Sequence, residues 1–65
     1  MIIDNYQAAI KELRTKMLLS QKEMAQLLGV SFASINRWEN GVHEPTLKTK
    51  RKLHSLFNEY GIKIN

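Results

Sequence analysis

Apolar residues recur along this chain at helical spacing, in four stretches separated by polar breaks. In the first, Tyr6, Ala9, Ile10, Leu13 and Met17 form one stripe with a period of about 3.6 residues, not of 2. Asp4 can cap this helix, which is expected to run to about Leu18 with Lys11, Glu12, Thr15 and Lys16 on its other face. The last stretch carries Leu47, Leu53, Leu56, Phe57 and Tyr60, with Thr46 as its cap and Gly61 and Ile62 as a glycine stop followed by an apolar contact. Between that helix and the preceding one, Asn40-Gly41-Val42-His43-Glu44-Pro45 reads as a loop.

The two central stretches, Gln21 to Asn40, are short and closely joined. In Ser20-Gln21-Lys22-Glu23 the serine hydroxyl can accept from the Glu23 N–H while the Glu23 carboxylate returns to the Ser20 N–H, a capping box. Gly29 can take the left-handed conformation that ends a helix, and Ser31 can cap the next one two residues later. Met24, Ala25, Leu27 and Leu28 serve the first of the pair; Val30, Ile35 and Trp38 serve the turn and the second. Leu19, just ahead of the Ser20 cap, helps fix the entry of the first. Ala25 allows close approach of the two helices. Phe32, Ala33, Asn36 and Arg37 are left on the outer side of the second, where Phe32 is an apolar ring with no evident partner. Two short helices joined this tightly form a helix-turn-helix, whose second helix enters a DNA major groove in proteins built this way.

Length and charge narrow the picture further. A chain of 65 residues reads as one domain spanning residues 1–65, all-α, with four helices and a fifth left open. Without cysteine it has neither disulfide nor thiolate metal site, so a helical core must hold the fold. No apolar run approaches the roughly 20 residues of a membrane span, and Met1-Ile2-Ile3-Asp4 lacks the character of a secretory signal. A soluble, cytoplasmic protein without membrane association is therefore expected. Ten Lys and Arg against six Asp and Glu leave a net charge of +4, which favours polyanions. Lys48, Lys50, Arg51 and Lys52 crowd the start of the last helix, where the helix dipole disfavours cations. Phosphate is expected for Lys48 or Arg51 and solvent for Lys52.

The run LSQKEMAQLLGVSFASINRWENG, followed by Glu44-Pro45, resembles the Cro/C1-type (XRE) helix-turn-helix regulators with a lambda repressor-like DNA-binding domain, in register over roughly residues 11–57. The resemblance implies an ion pair between Arg14 and Glu39 that braces the first and third helices. It places base contacts at Phe32, Ala33 and Arg37, and phosphate contacts at Gln21 and Asn40. By their chemistry, Arg37 can donate twice to guanine, Asn36 can bond adenine or a phosphate, Phe32 and Ala33 can pack on a thymine methyl, and Ser31 or Ser34 can reach a phosphate. Phe32 and Ala33 replace the polar readers of the best-studied relatives, so no target sequence carries over. One copy reads only a few base pairs, so a homodimer on a pseudo-palindromic double-stranded DNA operator is expected, with half-sites about 34 Å apart.

Enzyme chemistry finds little material. His43 and His54 have no third ligand pattern, so neither a metal nor another cofactor is expected. The serines have positional roles, leaving no nucleophile with an obvious base. Met17, Met24 and Trp38 fall on apolar stripes as core. Ile62 and Ile64 alternate with polar residues, so the tail either frays or pairs with its twin, the frayed end being favoured. The reading that follows is a sequence-specific DNA-binding regulator, most simply a repressor. The alternative is an antitoxin or accessory module of the same fold in which Phe32, or the tail from Tyr60, docks a protein partner.

Overall fold

Four helices stand where the apolar stripes put them, and each is closed at both ends by its own chain. The computed structural model describes residues 2–64 as β1 (Ile2–Ile3), α1 (Tyr6–Met17), α2 (Gln21–Leu28), α3 (Phe32–Glu39), α4 (Leu47–Glu59) and β2 (Lys63–Ile64). The first turn of an α-helix has N–H groups without intrahelical partners. Here a side chain accepts one of them at every helix: Asn5 from Ala8 at 2.8 Å, Ser20 from Glu23 at 3.0 Å, Ser31 from Ser34 at 3.1 Å and Thr46 from Thr49 at 3.4 Å. The Ser20 N–H donates in return to Glu23 Oε1 at 2.9 Å, completing the capping box. Those bonds to Ser20 hold the Glu23 carboxyl below its usual range. At α1 the cap is Asn5 and not the expected Asp4, because the chain is still extended at Asn5 (φ −151°, ψ 164°) and turns helical only at Tyr6.

The four C-termini share one geometry. An N–H beyond the helix returns to a carbonyl five residues back: Leu19 to Arg14 at 3.1 Å, Val30 to Ala25 at 3.0 Å, Val42 to Arg37 at 2.9 Å and Ile62 to Phe57 at 2.8 Å. The residue before each of these donors is left-handed, namely Leu18, Gly29, Gly41 and Gly61. This is the Schellman closure, which satisfies carbonyls that would otherwise lack partners. Glycine takes the required positive φ without strain. Leu18 takes it at φ 58° with its side chain 88% exposed, so α1 ends at Met17 and Leu18 contributes a turn and no packing.

The core is small and continuous. Ile10 and Leu13 of α1, Met24 and Leu28 of α2, Ile35 and Trp38 of α3, and Leu53 and Phe57 of α4 meet in one buried cluster, with Ile62 closing it. α3 packs across both α1 and α2, and α1 also packs on α4, so the outer side of α3 is the one turned from the cluster. Leu19 packs partly buried against the core. Two expected stripe residues lie outside: Leu27 is 50% and Leu47 65% exposed. Each sits at the margin of its stripe.

The tail does not fray among the described residues. β2 pairs in parallel with β1, Ile2 opposite Lys63 and Ile3 opposite Ile64, so the chain is a four-helix fold with a two-stranded clasp between its ends. The described residues contain no fifth helix. Ile62 is buried and Ile3 and Ile64 pack against the core, so apolar burial holds the clasp in place. Met1, and Asn65 at the end of the expected tail, lie outside the described residues.

The two leucines of the α4 stripe should separate in a denaturation experiment. Leu53→Ala empties a fully buried site and should cost about 2–5 kcal/mol. Leu47→Ala should stay within about 0.5 kcal/mol of the parent in urea-unfolding free energy. Equal losses would contradict the placement of Leu47.

Candidate nucleic-acid interface

Glu39 ends α3 with its side chain 1% exposed, and a buried carboxylate is tolerated only if its charge is met. Arg14 of α1 meets it in a two-pronged bond, Nε to Oε2 at 2.7 Å and Nη2 to Oε1 at 3.0 Å. Its remaining prong, Nη1, donates to the Leu19 carbonyl at 3.1 Å just ahead of α2. Gln21, the first residue of α2, adds a donation from Nε2 to Glu39 Oε1 at 3.1 Å. One carboxylate thus gathers the side of α1, the start of α2 and the end of α3. Hydrogen bonding to Glu39 raises the Arg14 pKa further above an already high value, so the guanidinium stays charged.

With that joint fixed, α3 turns its inner side to the core through Ile35 and Trp38 and its outer side to solvent. Phe32, Ala33 and Arg37 are exposed and Asn36 is half-buried. The Arg37 side chain has no ion pair or hydrogen bond among the described residues. Asn36 Oδ1 accepts a hydrogen bond from Asn40 Nδ2 one turn on, which leaves the Asn36 amide hydrogens as its open groups. Ser31 and Ser34 share a hydroxyl–hydroxyl bond at 2.9 Å. The Gln21 side-chain amide is already committed to Glu39, so its own phosphate reach is reduced, whereas the free N–H groups at the start of α2 stay open.

The basic start of α4 divides in a way that sequence alone did not reveal. Lys50 pairs with Glu44 at 2.9 Å and lies 4.8 Å from the centre of the Tyr6 ring; the Glu44 bond raises its pKa. Lys52, expected in solvent, donates to the Leu28 carbonyl at 3.2 Å and ties α4 to the end of α2. The favourable place of a cation beside a helix C-terminus explains this choice, and no local pattern around Lys52 announces it. Lys48 and Arg51 stand three residues apart, exposed and without partners among the described residues. They remain as exposed cations on α4.

The rest of the surface offers little chemistry. His54 Nε2 is hydrogen-bonded to the Tyr6 hydroxyl at 2.7 Å, and His43 is exposed in the loop. An open depression of about 240 Å³ lies between the start of α1 and the α3–α4 loop, lined in part by Tyr6, Gln7, Trp38 and His43. Among the described residues no cluster of His, Cys, Asp or Glu could hold a metal ion, and no helix is long and apolar enough to cross a membrane.

Two capped helices joined at a left-handed glycine, the second with an open outer side that carries an exposed arginine, define a helix-turn-helix protein. Comparison with known proteins agrees: the family described as Helix-turn-helix (HTH_3) matches residues 10–62. The chain is 39% identical over 49 residues to an uncharacterised HTH-type transcriptional regulator of Archaeoglobus fulgidus, a match covering 75% of this chain and 69% of that protein. It is 46% identical over 46 residues to the type II methyltransferase M.SsoII of Shigella sonnei, covering 66% of this chain and 12% of that much longer protein. No solved structure matches. The chain belongs to the Cro/C1-type (XRE) helix-turn-helix family of DNA-binding transcription regulators.

The Glu39 joint makes a direct prediction about stability. Arg14→Ala leaves the Glu39 carboxylate buried with only Gln21 to meet it and should cost about 3 kcal/mol in chemical denaturation. The double replacement Arg14→Met with Glu39→Leu removes both charges and should recover most of that loss. A double variant as unstable as the single one would show that the charge itself is not what is at stake.

Proposed function

We propose that this chain is a sequence-specific binder of double-stranded DNA that lays α3 in the major groove and represses transcription by covering promoter DNA. The observation that carries this reading is the contrast between the two sides of α3: Ile35, Trp38 and Glu39 are buried, while Phe32, Ala33 and Arg37 are open and Arg37 is unpaired. A cation with five donors in a fixed fork, standing free on an exposed helix, suits the O6 and N7 acceptors of guanine. Phe32, Ala33, Asn36 and Arg37 then face bases.

Phosphates on either side are met by the start of α2 at Gln21, by Ser31 or Ser34, by Asn40 just beyond α3, and by Lys48 and Arg51 on α4. The family relationship and the net charge of +4 support the same assignment. Eight residues of α3 span only a few base pairs, so two copies on a two-fold-related operator supply the selectivity a genome requires. The setting is the cytoplasm, where the operator is. The protein acts by occupancy and not by catalysis.

Selection of bound sequences from a random duplex library, followed by binding measurements on the winner, tests this reading. Arg37→Ala should relax preference at one guanine by about 1–3 kcal/mol, whereas Lys48→Ala should weaken all duplexes alike and make the slope of log K against log salt shallower by about 1. Failure to enrich any sequence, with no duplex bound at low salt, would overturn the proposal.

A further inference from the structure

The four side chains on the reading side of α3 offer donors and carbon, and their one acceptor, Asn36 Oδ1, is already bonded to Asn40 Nδ2. Arg37 carries only N–H groups. Asn36 has its oxygen engaged by Asn40 Nδ2 and keeps its amide hydrogens for a further partner. Ala33 presents a methyl group, and Phe32, 51% exposed, is the most open aromatic ring among the described residues. In the major groove guanine shows two acceptors, thymine an acceptor beside a 5-methyl group, and cytosine and adenine each show an amino donor. A donor-and-carbon surface complements the first two. Facing either of the others, it would leave an amino hydrogen bond unmade.

We propose that the outer side of α3 selects keto bases on the strand it reads: guanine through Arg37, and thymine through a 5-methyl group seated against Phe32 and Ala33. The proposal rests on α3 entering the major groove, as put forward above, and names what it reads there. It also accounts for Phe32. A half-exposed ring at the first turn of a helix brings no packing to this chain's core, and the adjoining Ala33 is small enough to let a pyrimidine edge approach both. The same surface of the molecule carries exposed cations, Arg37 on α3 and Lys48 on α4, so the occupant that fits is an apolar group carried on a polyanion. The thymine methyl in duplex DNA is that group.

The test changes the DNA by one methyl group and leaves the protein intact. In the duplex recovered by selection, each thymine is replaced in turn by deoxyuridine, which removes only the 5-methyl group. The expected result is a loss of about fourfold in affinity at one or two thymines per half-site, the worth of one buried methyl group. That loss should vanish in Phe32→Ala, whose thermal unfolding should match the parent because the ring is half-exposed. At the same position a 5-methylcytosine pair should bind more tightly than a cytosine pair. Ala33→Gln, which adds the missing acceptor, should shift the selected base toward adenine. Equal affinity for thymine and deoxyuridine at every position of a tightly bound duplex would overturn this inference while leaving DNA binding in place. If no duplex binds at all, the major-groove reading fails, and this inference fails with it.

Discussion

A carboxylate buried at the end of α3 sets the geometry of this molecule. Glu39 cannot remain charged in the interior without compensation, and its compensation comes from two other elements: the Arg14 guanidinium on α1 and the Gln21 amide at the start of α2. Because these bonds are directional, they fix the angle at which α2 approaches α3 more narrowly than apolar packing does. The start of α2 and the outer side of α3 are the two surfaces that DNA would have to meet at once. Their spacing is therefore tied to a hydrogen-bonded joint built on the buried Glu39 carboxylate, and the exposed side chains need carry no structural duty.

The remainder of the fold works to make so small a core sufficient. A chain of this length buries a modest fraction of its surface, so loose helix ends would be costly. Every helix here has a side-chain cap at its start and a five-residue backbone closure at its end, and Lys52 adds a donor to the end of α2 from α4. The parallel clasp of β1 with β2 joins the two ends of the chain through Ile3, Ile62 and Ile64. Local closure of this kind leaves Phe32, Arg37, Lys48 and Arg51 uncommitted.

Much of this was legible in the sequence, for identifiable reasons. Helix identity, the Ser20–Glu23 box, the left-handed Gly29 and the inward Trp38 all follow from spacing within one or two turns, which a single sequence displays. What escaped has longer range or finer balance. Two-residue strands have no period to detect, and β1 and β2 meet from opposite ends of the chain. Asp4 and Asn5 are both good caps, and only the backbone angle at Asn5 decides between them. Leu27 and Leu47 fall at stripe margins, where a neighbouring helix would be needed to bury them. Lys52 could not be told from its basic neighbours, because its partner is a carbonyl on another helix. At the candidate interface, the exposure of Phe32, Ala33 and Arg37 could be read by subtracting the apolar stripe. The Asn36–Asn40 bond has a readable spacing of four, yet it changes the chemistry of that surface in a way composition does not reveal.

If Glu39 orients the DNA-facing elements, the start of α2, the outer side of α3 and the start of α4 act as one surface. Titrating the isotopically labelled protein with its selected duplex, and following backbone amide resonances, tests it most directly. The changes should cluster at Gln21, Ser31 to Ala33, Arg37, Asn40 and Lys48, while Ile2, Ile3 and Ile64 stay still. Changes concentrated in the β1–β2 clasp and α1, with α3 unmoved, would contradict it.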